Sequence, residues 1–352
     1  MSNEEASQVP AALEFEPDSS SKKKKGVHKP IYSPVFTQKP IQKTDIGRVH
    51  LLVNPFSGKK KGRKIGEKVK EILENEGSTV EIHFSAHSGH LIEIAESIQA
   101  QPNDVFAVVG GDGSLSEVIT GRMKATTERS ERFALIPAGT GNSVANDLRL
   151  TSTEQAVQGI LKGTWQNLDL ARVEMVEGLP GSEQGRTVRY SHNLVTWGLG
   201  VDSTIKAERM RWMGPMRYDV GILMAIMANN RRHATLTLDG VTMEDDYTLF
   251  LIQNSQTGGS MLPLAPGASL DDGMMDIGIL KKMTRRDVLK AFGMLKSEGR
   301  HVFHPRVDYH KFKTLNIETP APAAINVDGE NIGSTPLQME VLANAVQICV
   351  PN

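Results

Sequence analysis

Several things are missing from this sequence, and each absence narrows the reading. There is one cysteine, Cys349, which rules out an internal disulfide framework and a cysteine-built zinc site and fits a reducing compartment. No apolar run approaches the roughly 18–20 residues needed to span a bilayer, and the N-terminus carries no apolar signal region. A soluble or peripheral, cytoplasmic protein is expected. The formal net charge is −1, so bulk charge draws the chain to no polyanion, and nucleic acid is not an expected partner. Histidines are not clustered at metal-ligand spacing, and none is assigned as a ligand. Internal repeats are absent. The first strand-to-helix turn lacks Gly-x-Gly-x-x-Gly, which argues against a dinucleotide-binding dehydrogenase.

At 352 residues the chain is long enough for two domains with real cores. Residues 1–46 hold acidic residues, serines, prolines and the run Lys22 to Lys25, with little to bury, and read as a disordered tail. Residues 47–165 alternate strand and helix patterns. Val49, Leu51, Leu52 and Val53 form a buried-type strand; Ile65, Val69, Ile72 and Leu73 recur at helical spacing; Val80, Ile82 and Phe84 alternate; Phe106 to Val109 and Phe133 to Ile136 are further short apolar runs. Alternation of this kind implies a parallel, doubly wound sheet, in which ligands sit at the carboxyl ends of strands. Residues 166–352 read as short strands joined by loops, an antiparallel β-sandwich. Two helical stretches interrupt it, about 203–229 and 284–298. Thr284 with Asp287 resembles a capping box for the second.

The loop after the third strand organises the first domain. Gly110-Gly111-Asp112-Gly113 lies between a buried strand and an amphipathic run that includes Leu115, Val118 and Ile119. Glycine allows close backbone approach, and the first helical N–H groups are unpaired donors at the positive end of the dipole, so phosphate can sit there. A carboxylate in such a place repels phosphate unless it binds Mg²⁺ or accepts a proton from a nucleophile. Phosphoryl transfer is the chemistry that uses all of these parts. Two more loops fall at strand ends, Asn54-Pro55-Phe56-Ser57-Gly58 and Pro137-Ala138-Gly139-Thr140-Gly141-Asn142. In the second domain, Val220, Ile222, Leu223, Met224, Ile226 and Met227 are too apolar all round for a surface helix, which is therefore buried or lipid-contacting.

Together the three loops, with Glu117, resemble the diacylglycerol kinase catalytic-domain family, which includes diacylglycerol, sphingosine and ceramide kinases. Leu264-Ala265-Pro266 with Asp272-Gly273 and Asp276 resembles a later motif, and Val327-Asp328-Gly329-Glu330 the last one. The likeness runs from Arg48 to the C-terminus. Arg209 to Asp219 is most similar to the sphingosine and ceramide kinase branch. The chain departs from sphingosine kinases two positions after Asp202, where they carry an acidic residue and Thr204 stands here. Phe56 replaces an arginine found after Asn-Pro in some of them.

The resemblance implies a three-layer α/β domain of the phosphofructokinase and NAD-kinase type, a C-terminal β-sandwich and an active site in the cleft between them. It implies Asp112 as the base that deprotonates a lipid hydroxyl. It implies nucleotide contacts from Asn54, Pro55, Ser85, Gly110, Gly111, Gly113, Glu117, Gly139, Thr140, Gly141, Asn142, Arg211, Arg217 and Glu330. Asp202, Thr204, Ile222, Leu223 and Ile226 are expected near the lipid, and Asp328 near the metal. The cofactors would be ATP and Mg²⁺, and the acceptor a sphingoid base, ceramide or acylglycerol at a peripheral membrane surface. A homodimer stays open. The competing readings are a kinase of soluble substrate resembling NAD kinases and a catalytically weak lipid-binding regulator.

Overall fold

The computed structural model describes residues 15–17, 28–125, 131–139, 142–213, 216–259 and 261–351. The first lobe is built on four parallel strands: β1 (Val49–Val53), β2 (Val80–Phe84), β3 (Val105–Gly110) and β4 (Arg132–Pro137), in the order β2-β1-β3-β4. Every residue of β1 and β3 is buried, because helices cover both faces, and a strand covered on both faces is apolar throughout rather than alternating. The helices are α1 (Gly62–Asn75), α2 (His90–Ser97), α3 (Asp112–Ala125), α4 (Ser143–Asp147) and α5 (Thr153–Lys162). Helix α5 starts where the Ser152 side chain accepts from the Gln155 N–H and stops at Gly163, which has φ 62°. Both ends follow ordinary capping chemistry.

The second lobe is antiparallel. Its strands are β5 (Thr164–Glu177), β6 (Arg186–Ser191), β7 (Leu194–Gly198), β8 (Arg232–Leu238), β9 (Val241–Gln253), β10 (Met275–Lys281), β11 (Val307–Phe312), β12 (Thr314–Glu318), β13 (Ala324–Val327) and β14 (Glu330–Cys349). Trp197 stacks on Phe250 at 4.6 Å between centroids in its core. The long helical stretch expected at 203–229 is two helices, α6 (Leu199–Glu208) and α7 (Met216–Ala228), separated by a 3₁₀ turn at Arg211–Met213. The intervening Gly214-Pro215 sequence is a helix breaker. Helix α8 (Arg285–Lys296) begins at the expected cap: the Asp287 N–H donates to Thr284 Oγ1 at 3.2 Å, and that hydroxyl donates back to the Asp287 carboxylate at 2.8 Å.

Strand β14 joins the lobes. Along its length it pairs with β13, β12 and β5, and at Gln347 and Ile348 it lies parallel to Arg132 and Phe133 of β4. Val346, Ile348, Cys349 and Val350 are buried in the first lobe's core.

The expected tail needs correction over its last part. Residues 1–14 and 18–27 lie outside the described residues, but from Pro30 onward the chain forms an arm laid on both lobes. Thr37 donates through its N–H (2.6 Å) and hydroxyl (2.9 Å) to Asp271, and the Gln38 N–H adds a third bond at 2.9 Å. Ile41–Gln42 pairs with β5, and the Trp165 indole N–H reaches the Lys43 carbonyl at 3.3 Å. The lack of a helix or strand period hid this: Val35, Phe36 and Ile46 pack on the core without alternation, and backbone groups and the Asp271 carboxylate add the polar contacts.

Candidate active site

Each glycine loop follows a strand of the first lobe, and parallel strands bring the three loops to one edge. A cavity of about 430 Å³ opens there, with Asn54, Ser85, Gly111, Asp112, Gly113 and Gly139 among its walls. Two glycines explain how the loops fit together. Gly58 has φ 57°, and a β-carbon there would sit 2.1 Å from the Ala138 carbonyl oxygen. A β-carbon on Gly139 would lie 2.7 Å from Asn142 Oδ1 and 3.0 Å from Gly111 Cα. The loops touch backbone to backbone, which only glycine permits.

Asn54 braces this arrangement. Its N–H donates to the Val109 carbonyl at 3.1 Å, its side-chain oxygen accepts from the Phe56 N–H at 3.0 Å, and its amide donates to Ser114 Oγ at 3.2 Å. The pyrrolidine of Pro55 pre-sets the turn between those contacts. Asn142 Nδ2 donates to the Gly139 carbonyl at 2.9 Å, while its buried Oδ1 has no partner among the described residues. Gly110 ends β3 and accepts the N–H groups of Ala138 and Gly139 at 2.9 and 3.1 Å. Thr140 and Gly141 lie outside the described residues.

Asp112 opens helix α3 and faces the start of α4. Its carboxylate accepts the N–H groups of Ser143 at 2.8 Å and Val144 at 3.3 Å, and Asn193 Nδ2 lies 3.5 Å away. Burial pushes its carboxyl up to about 6, against the pull of His192 and the two N–H donors; the Asp328 charge adds to the rise. An acid that ionises near neutrality and borders a cavity is suited to taking up a proton.

Two glutamates also border the cavity, Glu117 and Glu330. Glu117 caps helix α2, accepting from Gly89 N–H at 3.0 Å and Leu91 N–H at 3.1 Å. Glu330 receives only a long contact, 3.5 Å, from the Ser88 hydroxyl. Burial raises both carboxyls, and for Glu330 the Glu117 charge adds to the rise. Carboxylates gathered on one cavity wall favour a cation between them.

Asp328 does not fit the metal-ligand reading. Its side chain is wholly enclosed and its oxygens accept from the Ser191 hydroxyl at 2.8 Å and from the N–H groups of His192, Asn193 and Leu194 at 3.3, 3.2 and 2.9 Å. A carboxylate with that many donors holds the β6–β7 turn against β13 and has no lone pair left for an ion.

The second-lobe residues are more scattered, and among the described residues lining the cavity none comes from α6 or α7. Thr204 donates to Asn331 Oδ1 at 2.9 Å, next to Glu330, and so joins α6 to the cavity's rim. Asp202, expected near the lipid, is instead held by Arg232 at 2.7 Å and Asn230 at 3.2 Å. Ile226, also expected there, is 1% exposed and packs with Leu199 and Leu249 in a core shared by the helices. Ile222 is partly buried against the same core, whereas Leu223 is 53% exposed. Arg217 lies on α7, half-buried; Arg211 begins the 3₁₀ turn, and its side chain lies outside what is described.

Sequence reasoning missed the polar residues by which the second lobe closes the site. His192, Asn193, Asn254 and Ser255 are all buried. The Ser255 hydroxyl bonds Asn193 Oδ1, and Thr257 bonds Asp147 of α4 through its N–H at 3.0 Å and its hydroxyl at 2.8 Å. The available signal was polar pairs, His192-Asn193 and Asn254-Ser255, directly before β7 and directly after the buried end of β9.

Comparison with known proteins bears on this geometry. The model of the diacylglycerol kinase catalytic domain matches residues 48–173, and that of the YegS C-terminal NAD kinase beta sandwich-like domain matches residues 193–350. A diacylglycerol kinase of Mycobacterium tuberculosis (strain CDC 1551 / Oshkosh) is 30% identical over 322 residues, spanning 88% of this chain and 97% of that protein. The chain belongs to the diacylglycerol kinase catalytic-domain family. Membership of this family makes it a phosphotransferase of the lipid kinase class. Among other members, sphingosine kinase 1 of Arabidopsis thaliana is 26% identical over 356 residues, 87% of this chain and 70% of the relative. In fold, the chain is similar to the crystal structure of a diacylglycerol kinase from Bacillus anthracis str. Sterne, with a TM-score of 0.64 at 20% identity over 88% of this chain and 98% of that one.

Proposed function

We propose that the protein transfers the γ-phosphoryl group of ATP to a hydroxyl of a sphingoid base, ceramide or acylglycerol. The observation that carries this reading is the placement of Asp112. Its carboxyl, raised to about 6, stands on the wall of a cavity that the three glycine loops border, together with Glu117 and Glu330. The lipid hydroxyl gives its proton to Asp112 as its oxygen bonds to the γ-phosphorus. The bond from that phosphorus to the bridging oxygen breaks, and ADP leaves. Asn54, Gly111, Gly113 and Gly139 would hold the phosphates through backbone N–H groups and a short amide. The Asn142 Oδ1 that lacks a partner among the described residues is a ready acceptor for a ligand donor. Mg²⁺, when bound, neutralises phosphate charge, and the carboxylates of Glu330 and Glu117 supply oxygen donors of the hard type it prefers. Arg211 and Arg217 are proposed to approach the phosphates from the second lobe.

The lipid has to come from a bilayer, and the surface supports a docking face. On α7, Leu223, Met224 and Met227 are exposed at 53%, 46% and 55%, and exposed Leu289 lies on the neighbouring helix α8. Beside them an open groove of about 900 Å³ is lined by Arg231, Arg232, Arg285 and Arg286. Apolar side chains bordered by arginines suit the interface of an anionic leaflet.

The direct test is incubation of the full chain with labelled ATP and Mg²⁺ against sphingosine, ceramide, mono- and diacylglycerol, and NAD, with an Asp112→Asn variant alongside. Phosphorylation of one lipid class, lost in the variant, is expected. Phosphorylation of NAD with no lipid product would overturn the proposal.

A further inference from the structure

In the register of β1 and β2, His50 stands opposite Glu81 and Leu52 opposite His83. Alternation along β2 puts Glu81 and His83 on one face. One nitrogen of each histidine and one oxygen of Glu81 lie within 4.8 Å of one another. His50 comes from a strand far in sequence from Glu81 and His83, which is why linear spacing gave no sign of the three together. None of the three lines the cavity described above.

The chemistry of His50 makes this more than a crowded surface. Asp104 accepts the Arg48 N–H on one oxygen at 2.9 Å and the Gln101 N–H on the other at 2.9 Å. That second oxygen is also 3.1 Å from His50 Nε2. A carboxylate fixed in this way is an acceptor, so Nε2 carries the hydrogen and Nδ1 presents a lone pair. His50 is 2% exposed, and its Nδ1 has no hydrogen-bond partner. It points at a Glu81 oxygen 3.4 Å away, while Arg48 holds the other Glu81 oxygen at 2.6 Å. The Nε2 of His83 is likewise buried and without a partner. Three electron-pair donors thus lie within 4.8 Å of one another, and a positive charge among them, a metal ion or a proton, relieves their repulsion.

We propose that His50, Glu81 and His83 bind one divalent transition-metal ion of the zinc type, with water completing its shell and Asp104 orienting His50 from behind. Two imidazoles and a carboxylate suit such an ion better than Mg²⁺ or Ca²⁺, which prefer all-oxygen shells. The ion would fasten the edge strand β2 to β1. Closing the donors onto one ion would call on Glu81, which is exposed, and His83, which is half-buried, rather than on the enclosed His50.

The test uses the full chain stripped with EDTA, then titrated with Zn²⁺ and, separately, Co²⁺ in excess Mg²⁺, which fills oxygen-only sites. Calorimetry gives stoichiometry, and the visible ligand-field absorption of Co²⁺ reports nitrogen coordination. One ion per chain is expected, with affinity at least tenfold weaker in His83→Ala and in Glu81→Gln. Circular dichroism confirms that both variants fold; His50 is left intact because its ring stacks on Phe106 in the core. Zn²⁺ binding that is unchanged in both variants, or absent from the unaltered chain, would overturn the site and leave a proton between His50 and Glu81 instead.

Discussion

His192 Nδ1 lies 3.2 Å from a carboxylate oxygen of Asp328, and neither side chain is reached by solvent. Burial alone would raise the Asp328 carboxyl and lower the His192 imidazole. The attraction between them, with the N–H bonds to Asp328, reverses both directions. The pair is therefore charged when folded. Its stabilisation is full between the ordinary carboxylate and ordinary imidazole values, and it is lost progressively as pH falls through the depressed carboxyl or rises through the raised imidazole. Asp328→Ala leaves a buried imidazole that must give up its proton and several unpaired N–H groups. A loss of about 3–5 kcal/mol is expected, read from urea denaturation at neutral pH.

Asp112 titrates in the opposite sense from Asp328, and this sets the acid limb of activity. With its carboxyl pushed up to about 6, the base is protonated and idle below that pH. The kcat/KM for lipid should rise as pH passes through about 6. Asp112→Asn should cost about 10²–10⁴-fold, the usual worth of general-base help, and should abolish that limb. A variant with the limb intact would move the base elsewhere.

Gly58 is constrained twice, by its φ of 57° and by the Ala138 carbonyl 2.1 Å from where a β-carbon would stand. Gly58→Ala must therefore push the Asn54 loop away from the Gly139 loop. About 1–3 kcal/mol of strain is expected, with ATP affinity reduced more than overall stability. Nucleotide titration beside thermal melting separates the two effects.

The N-terminal arm is held where Thr37 meets Asp271. Thr37→Val removes the hydroxyl bond of 2.9 Å and keeps the N–H bond of 2.6 Å. A loss of about 1–2 kcal/mol is expected, together with earlier cleavage of residues 30–43 in limited proteolysis. A chain whose first 46 residues were wholly tail would show neither change.

For the proposed docking face, sedimentation with vesicles gives the reading. Wild-type chain should bind vesicles containing phosphatidylserine better than neutral ones, and less as salt rises. Arg285→Ala with Arg286→Ala should remove about 2 kcal/mol, near thirtyfold, at roughly 1 kcal/mol for each basic residue. Leu223→Ser with Met227→Ser should weaken binding to both kinds of vesicle. If the same variants instead split a dimer, the face is an interface between copies.

The legible parts were those written in local chemistry. Apolar β1 and β3, the Thr284 cap and the three glycine loops each announce themselves within a few residues, and the loops meet because parallel strands deliver them to one edge. Contacts between distant segments were not legible. Asp328 looks like a free acid in a turn until four donors from Ser191 to Leu194 close on it. The apolar pattern of α7 says that one face is buried without saying which, so Ile226 and Leu223 looked alike. The arm at 30–46 has apolar residues, and Val35, Phe36 and Ile46 pack on the core, but they follow no helix or strand period, and backbone bonds to Asp271, Pro266 and Gly163 complete the docking.

Strand β14 has a consequence for synthesis. Gln347 and Ile348 complete the hydrogen bonding of β4, yet they emerge from the ribosome after every other element described. The first lobe, although encoded first, stays a strand short with its apolar edge open until translation reaches them. Until then that edge of the parallel sheet is unpaired, the kind of exposed strand edge that makes a folding intermediate prone to aggregate. Ribosome-bound chains stalled before residue 340 should be protease-sensitive across residues 48–137, and those released in full should not.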